Sequence, residues 1–209
     1  MNPRTYDMSG RSAAVEETRR RILEATLELH TERGIFGTRW QDIARRADVS
    51  TGTVYRHFPT LADLVPACGE LLMERTRPPS PDEARRVVGD AAGAVARLEC
   101  AAAHLFAFYE RAGASLDSDP RERQLPEVQE WEEYLRATVT VFVREALRGS
   151  KVSKQDLEVA SALFDYRTYG AFRTRSVSPQ RTARAVSVMV ACSIGLGHPP
   201  RTTTREEKR

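Results

Sequence analysis

The chain has 209 residues, 41% of them hydrophobic, which is enough to bury one medium core or a small domain joined to a larger one. It has no apolar run long enough to span a membrane, and its polar N-terminus lacks the apolar segment of a secretory signal, so we predict a cytoplasmic protein with no membrane partner. A net charge of +3 neither favours nor excludes nucleic acid as a partner, so the local distribution of charge must decide.

The residue types that catalyse reactions or bind metals do not occur here with the spacing of a known catalytic or metal-binding motif. Cys68, Cys100 and Cys192 fit neither a disulfide framework nor a metal site, which is typical of a reduced compartment. The four histidines share no metal-ligand spacing, and neither a nucleophile elbow nor a phosphate-binding glycine loop occurs. We therefore predict no catalytic residue, no metal, no cofactor and no enzymatic activity.

The N-terminal segment is predicted to be an arm followed by a long helix. Residues 1–11 are polar and contain Pro3 and Gly10, which favours disorder. Ser12 is the candidate N-cap of a helix that extends to about Arg33, and Gly34 is suited to end it. The buried face of this helix is predicted to contain Ile22, Leu23, Ala25, Thr26 and Leu29.

Two short helices follow, joined by a tight turn. Thr38 and Gln41 have the spacing of a capping box, which predicts a helix from Arg39 to about Ala47. Asp48 is the turn candidate, because aspartate tolerates the left-handed conformation better than most residues. Ser50 is the predicted N-cap of a second helix over residues 51–57.

A helix, a tight turn and a second helix form the helix-turn-helix unit, whose second helix enters the major groove of DNA. The second helix here carries hydroxyl, glycine and basic side chains on its outside and no acidic one. Such side chains bind phosphate oxygens and base edges, so the residue types predict a DNA-binding helix.

The stretch from Gly34 to Thr60 resembles the DNA-binding signature of the tetracycline-repressor (TetR) family, and the resemblance covers roughly the first third of the chain. The matching residues are Thr38, Ile43, Ala44, Ala47, Val49, Ser50, Gly52, Thr53, Val54, Tyr55, His57 and Phe58. The sequence departs from the family pattern at Ile35, Arg39, Asp48 and Thr51 and, just after this stretch, at Leu61. The residues at positions 51 and 61 lose the option of a basic side chain, which is expected to remove phosphate contacts, and Arg39 could restore one. The resemblance and the polar side chains predicted on the outside of the second helix together indicate which residues contact DNA. They are Thr38, Arg39, Trp40, Thr51, Gly52, Thr53, Tyr55, Arg56, His57 and Thr60.

The predicted domains follow from these signals and from one linker. Thr60 and Asp63 form a capping pair that begins a connecting helix over residues 61–77, and the proline-rich run from Pro78 to Pro81 marks a boundary. We therefore predict an arm (1–11), a helix-turn-helix domain (12–60), the connecting helix (61–77), an effector-binding and dimerisation domain (78–197) and a disordered tail (198–209). The predicted fold is all-α, with a three-helix head and a helical body.

Within the body the sequence predicts four helices. The first covers residues 81–112 and is either continuous or broken near Gly89 or Gly93; the second begins at Pro126 and ends at Gly149. The third begins after the cap formed by Ser153 and Asp156 and continues to about residue 174, and the last covers residues 179–196.

The last two helices are candidates for a homodimer interface. Phe164, Ala183, Val186, Val190 and Ile194 are the residues assigned to it, and small residues beside them permit close helix approach. A four-helix bundle formed by two copies would match the symmetry of a palindromic operator. The alternative is that this face packs only within its own chain; the family resemblance favours the dimer.

Aromatic and polar residues in the middle of the chain are candidates for an effector pocket, because helical proteins commonly form such pockets from them. The assigned residues are Cys100, His104, Phe108, Trp131, Tyr134, Phe164 and Tyr169. The alternative for each is an ordinary core position. Arg167 and Arg173 could meet an anionic effector or could simply be solvated.

The sequence therefore predicts a homodimeric transcriptional regulator, a repressor that a small-molecule effector releases from double-stranded operator DNA. One alternative is a helical protein that binds DNA or another protein without regulating a promoter. A second alternative, an enzyme or ligand carrier on a helical scaffold, has no supporting set of residues.

Overall fold

In the computed structural model, which describes residues 8–196, every regular element is helical, and the prediction of an all-α fold is confirmed. The α-helices are α1 (Met8–Arg33), α2 (Trp40–Arg46), α3 (Thr51–His57), α4 (Leu61–Thr76), α5 (Ala84–Val88), α6 (Ala94–Ala112), α7 (Pro126–Ala146), α8 (Lys154–Leu163), α9 (Tyr166–Arg173) and α10 (Pro179–Ser193). Short 3-10 turns cover Pro81–Glu83, Gly113–Leu116 and Glu122–Gln124. The predicted tail over residues 198–209 and the first seven residues of the predicted arm lie outside the described residues.

The chain forms two compact units that are not two consecutive stretches of sequence. The head unit contains residues 8–77 together with Ala112–Trp131, and the body unit contains Pro78–Arg111 together with residues 132–196. The predicted boundary after residue 77 is also a boundary of these units. The sequence placed residues 112–131 in the body, whereas their contacts place them in the head unit.

The head core is formed by one face of each of its first four helices. It contains the buried residues Ile22, Leu23, Ala25, Leu29, Ile43, Ala44, Ala47, Val54, Phe58, Leu64, Ala67 and Cys68. The predicted buried face of α1 is confirmed, including Thr26, whose hydroxyl donates to the Ile22 carbonyl at 2.7 Å. Burial raises the pKa of the Cys68 thiol to about 12, so this cysteine is an apolar core residue.

Local capping and turn signals account for several helix ends. Ser50 accepts from the Thr53 amide, and capping boxes with both hydrogen bonds are present at Thr60 and Ser153, as predicted. Asp48 has φ 53° in the turn between α2 and α3, which confirms its predicted left-handed conformation. These positions set the start of α3, α4 and α8 independently of long-range contacts.

Two predicted N-termini are wrong. Helix α1 already includes Met8, so Ser12 lies inside the helix and residues 8–11 of the predicted arm are helical. Helix α2 begins at Trp40 after Arg39, and no side chain caps it. The Thr38 hydroxyl instead donates to the Gly34 carbonyl at 2.8 Å, because the turn after α1 brings that carbonyl within reach.

The body unit is organised around an aromatic cluster between α6 and the α8–α9 corner. The Phe106 ring lies 4.6 Å from that of Tyr169 and 6.1 Å from that of Phe164, and the Tyr109 hydroxyl donates to the Phe164 carbonyl at 3.0 Å. The helix predicted over residues 154–174 is wrong: it breaks at Phe164, and Asp165 caps α9 by accepting from the Arg167 amide. The predicted break near Gly89 or Gly93 is confirmed, since both have positive φ.

Candidate nucleic-acid interface

Helix α3 presents a continuous polar surface. Val54 is fully buried and anchors the helix in the head core, whereas Gly52, Tyr55 and Arg56 are exposed and Thr51 is half-buried. The helix has no acidic residue. A short helix held by one apolar residue, with small, hydroxyl and basic side chains outside, can approach the major groove closely.

Tyr55 is held in place by Trp40 at the start of α2. The two rings stack with centroids 5.0 Å apart and an interplanar angle of 29°. Tyr55 nevertheless remains 45% exposed, so its hydroxyl is available to a ligand while its ring is fixed. The stack therefore joins the two helices of the helix-turn-helix unit and restricts the conformations of the Tyr55 side chain.

The arginines near α3 divide into paired and unpaired groups. Arg45 pairs with Asp42, and Arg46 pairs with Glu28 at 2.9 Å and with Glu32 at 3.1 Å. Arg39 and Arg56 are exposed, and neither forms a salt bridge with a residue that the structure describes. Their positive charge is therefore left for an anionic partner such as a DNA phosphate.

The remaining predicted contact residues surround the same surface. Ser50 and Thr53 share a hydrogen bond of 2.9 Å, and Thr60 donates to Asp63 at 2.6 Å while capping α4. Half-buried Thr38 is engaged with Gly34, as described above. Burial, and next the charge of Arg56, lowers the pKa of His57, so this side chain is a neutral hydrogen-bonding group at pH 7.

Glu122 is a structural residue of the head unit that sequence reasoning missed. Its carboxylate is buried and accepts from the Ile35 amide at 2.5 Å and from the Asp119 amide at 3.1 Å. Gly34 must be small and left-handed there, since its φ is +76° and a Cβ would lie 2.5 Å from the Glu122 carboxylate. Glu122 thus fixes residues 117–123 to the turn that precedes α2. Sequence motifs such as capping boxes indicate contacts between residues close in sequence. The contact between Ile35 and Glu122 spans 87 positions, so no such motif predicts it.

We expect Glu122→Gln to lower the free energy of unfolding by about 1 to 2 kcal/mol, because the amide nitrogen cannot accept from a backbone N–H and leaves one donor unsatisfied. Urea denaturation followed by circular dichroism measures the change. Glu74→Gln, at an exposed position of α4, is the control and should change stability by less than about 0.5 kcal/mol. Equal midpoints for the two variants would contradict the anchoring role.

The residues predicted to form an effector pocket in the body have different surroundings. Phe108, Phe164 and Tyr169 are buried in the core, with the Tyr169 hydroxyl donating to Glu110 at 2.5 Å. His104 stacks on Phe142 with centroids 5.4 Å apart, Cys100 is half-buried on α6, and Tyr134 donates to the Pro79 carbonyl at 3.1 Å. Phe108, Phe164 and Tyr169 thus belong to the packed interior of the body unit.

The arginines considered for an anionic effector are also engaged. Arg167 pairs with Glu132 at 3.0 Å, and Arg173 pairs with Glu110 at 2.9 Å. Trp131, by contrast, lines a cavity of about 360 Å³ within the head unit. None of the other six residues predicted for the pocket lines that cavity.

The residues assigned to a dimer interface lie mostly in the interior of the body unit. Ala183, Val186 and Val190 are buried within their own unit, as is Phe164, and Ile194 is half-buried. The helical spacing of Ala183, Val186 and Val190 matches the buried face of α10, which packs against α8 and α9. The opposite side of α10 exposes Val188 and Met189.

Neither a membrane span nor a metal cluster is found among residues 8–196. No helix in this range is long and apolar enough to cross a bilayer. No group of three or more histidine, cysteine, aspartate or glutamate residues in the same range is arranged to hold a metal ion.

Comparison with known proteins identifies the head. Residues 22–68, which contain the C-terminal part of α1, all of α2 and α3 and the first half of α4, match the family model described as "Bacterial regulatory proteins, tetR family". The HTH-type transcriptional repressor KstR of Rhodococcus jostii is 44% identical over 54 residues, which cover 26% of this chain and 26% of that protein. The aligned part thus spans about a quarter of this relative's length.

Solved structures extend the similarity of the fold beyond the head. A TetR-like transcriptional regulator from Rhodococcus sp. RHA1 superposes with a TM-score of 0.64 at 17% identity, covering 85% of this chain and 96% of that one. The TetR-like regulator LfrR of Mycobacterium smegmatis, solved in complex with proflavine, gives a TM-score of 0.52 at 20% identity over 87% of this chain and 98% of its own. The head of this chain is therefore similar to the tetR family of bacterial regulatory proteins, and the chain shares its all-helical fold with solved TetR-like regulators.

Proposed function

We propose that this protein is a homodimeric transcriptional repressor that binds a palindromic operator and is released by a small-molecule effector. The observation that carries the proposal is the surface of α3, where Tyr55 is held by Trp40 and Arg56 is exposed without an ion pair among the described residues. The similarity of the head to a named repressor supports it. The site of action is the chromosome, so we expect the protein in the cytoplasm.

The proposed DNA contacts come from both helices of the motif. Gly52, Tyr55 and Arg56 are the exposed residues of α3, so they are assigned to the major groove and its phosphates. Arg39, exposed at the N-terminus of α2, is assigned to the flanking phosphate backbone. Thr38, Trp40, Thr51, Thr53, His57 and Thr60 complete the proposed interface.

The proposed dimer uses the outer side of the α8–α10 pair. These two helices pack against each other in the body unit, and Val159, Val188 and Met189 are 47%, 43% and 44% exposed on them. Cys192 is also exposed, one helical turn after Val188. Two copies of such a pair can form a four-helix interface with twofold symmetry, which covers these apolar side chains.

We expect the double variant Val188→Glu/Met189→Glu to sediment as a monomer at micromolar concentration, whereas the unmodified protein sediments as a dimer. Four like charges, two from each copy, would meet across the proposed interface. Sedimentation velocity measures the masses, and Val15→Glu, at an exposed valine of α1, is the control. A dimer that tolerates the double variant would place the interface elsewhere.

Selection from random DNA tests the proposal as a whole. A dimeric repressor should recover an inverted repeat whose half-sites are spaced by one or two helical turns, about 10 or 20 base pairs. Recovery of no consensus would favour the alternative, a helical interaction protein that does not regulate a promoter. Recovery of a single half-site would oppose the dimer and leave DNA recognition by α3 intact.

The proposed release by an effector is a shift of population. An effector releases DNA only by binding more tightly to a conformation that does not fit the operator. The structure of LfrR with proflavine is an example of a small molecule bound to a protein of this fold.

A further inference from the structure

The cavity of about 360 Å³ lies wholly among residues of the head unit. Its walls are formed by α1, α4 and the segment from residue 114 to 131. Much of the lining is apolar, namely Leu27, Ile35, Val65, Pro66, Leu72, Met73, Ala114, Val128 and Trp131. A concave, largely apolar space of this volume fits a small organic molecule.

The charged side chains that line the cavity all have the same sign. Glu70, Asp117, Glu122, Glu127 and Glu130 contribute carboxylates, and neither lysine nor arginine lines it. Glu122 is satisfied by two backbone amides, as described above. The other four form no salt bridge with any residue in the range 8–196. An apolar space with uncompensated negative charge at its walls favours a cation over a neutral or anionic molecule.

Two further groups in the walls support the same class of ligand. The Nε2 atom of His30 is buried and has no hydrogen-bond partner in the part of the chain that the structure describes. Burial lowers the pKa of His30 to about 4, so the imidazole is neutral at pH 7 and does not repel a cation. Trp131 contributes an indole ring, which attracts cations through its π face.

We propose that this cavity in the head unit is the binding site for an organic cation with an aromatic or apolar body. This inference rests on the proposed function in one respect only, namely that the bound cation is the effector. The direct binding of the cation requires no DNA and can be measured alone.

The position of the cavity indicates how a bound ligand could affect α3. Helix α4 packs against α1 and begins at Leu61, four residues after α3 ends at His57. The opposite wall contains Glu122, which binds the Ile35 amide in the turn before α2. A ligand that changes the spacing of these walls therefore acts on residues adjacent to both ends of the helix-turn-helix motif.

Three probes of similar size distinguish the effect of ligand charge on affinity from the effect of apolar contact. Phenyltrimethylammonium is the cation, tert-butylbenzene is its neutral isostere, and benzenesulfonate is an anion; none of them intercalates into DNA. Calorimetry gives the affinities, and the indole N–H resonances of the two tryptophans report the location. Trp131 lines the cavity and Trp40 does not, and a Trp40→Phe variant assigns the two signals.

Matched variants test the carboxylates. Glu70→Gln/Glu127→Gln removes one charge from each of two cavity walls, and Glu74→Gln/Glu133→Gln removes two charges from the same helices outside the cavity lining. We expect the first pair to weaken cation binding by about tenfold or more and the second to change it by less than about threefold. Gly69→Leu fills the cavity, since a Cβ at Gly69 meets no atom within 4 Å, and should block every probe. Circular dichroism checks that each variant is folded.

The outcomes separate the site from the function. Selective cation binding that shifts the Trp131 resonance and depends on Glu70 and Glu127 supports the site. Failure of the cation to bind a folded protein that still binds its operator would overturn the site and leave the proposed function standing. Cation binding that leaves operator affinity unchanged would support the site and overturn its role in effector release. Equal affinity for the cation and tert-butylbenzene would overturn the cation specificity.

Discussion

Replacement of Arg56 by alanine is expected to weaken operator binding by at least about tenfold and to reduce the slope of log affinity against log salt by about 2. Each of two α3 helices would lose one contact with a phosphate, and each lost contact removes about one unit of salt dependence. If Arg56 reads a base edge instead, the loss is about 1 to 3 kcal/mol and is confined to one base pair of each half-site. Fluorescence anisotropy at several salt concentrations, with the operator and single-base variants, distinguishes the two.

Arg45→Ala is the matched control for this measurement. Both arginines are exposed and both changes remove one positive charge, but Arg45 pairs with Asp42 and Arg56 has no pair among the described residues. Tyr55→Phe complements the pair, because it keeps the ring that stacks on Trp40 and removes only the hydroxyl. Equal losses for Arg45→Ala and Arg56→Ala would mean that total charge, and not the surface of α3, determines binding.

His30→Phe is expected to remove an acid-sensitive part of the stability of the head. Burial lowers the pKa of His30 from 6.5 to about 4, so between these pH values the unfolded chain binds a proton that the folded head excludes. The contribution of neutral His30 to the free energy of unfolding is fully present above about pH 6.5. It is lost as the pH falls toward 4, by up to about 3 kcal/mol. Phenylalanine keeps a ring of similar shape and cannot titrate.

The measurement is urea denaturation of both proteins at pH 7.5 and pH 4.5. Protonation of carboxylates lowers the free energy of unfolding of both proteins. The difference between their losses from pH 7.5 to pH 4.5 therefore gives the contribution of His30. At pH 7.5 the variant should be at least as stable as the unmodified protein, because the buried Nε2 atom without a partner is removed. A parallel loss of stability in the two proteins would show that His30 is not neutral and buried in solution.

The parts of the fold that depend on neighbours in sequence were predictable. Ser50, Thr60 and Ser153 cap their helices as expected, and Asp48 adopts the left-handed turn, because these signals act over three or four residues. Thr38 shows the limit of such signals. It has the spacing of a capping box, yet the turn after α1 brings the Gly34 carbonyl within reach, and the Thr38 hydroxyl donates to that carbonyl instead.

The partner of an apolar face was not predictable from spacing. Helix α10 has apolar residues on two sides, with Val186 and Val190 inside and Val188 and Met189 outside, so periodicity alone does not show which side meets a second copy. The burial of Tyr169 was also not predictable, because it depends on the break before α9, which the sequence did not indicate. The cavity was missed because it combines α1 and α4 with residues near position 122, far apart in sequence.

The central claim is that a dimer of this protein recognises a specific DNA sequence with α3. The most direct test is the anisotropy of labelled DNA from immediately upstream of its own gene, titrated with protein at two salt concentrations in the presence of unrelated competitor DNA. We predict binding that survives the competitor, weakens with salt, and saturates at two protomers, or a multiple of two, per site. Complete loss to the competitor, followed by failure to select any consensus from random DNA, would contradict the claim.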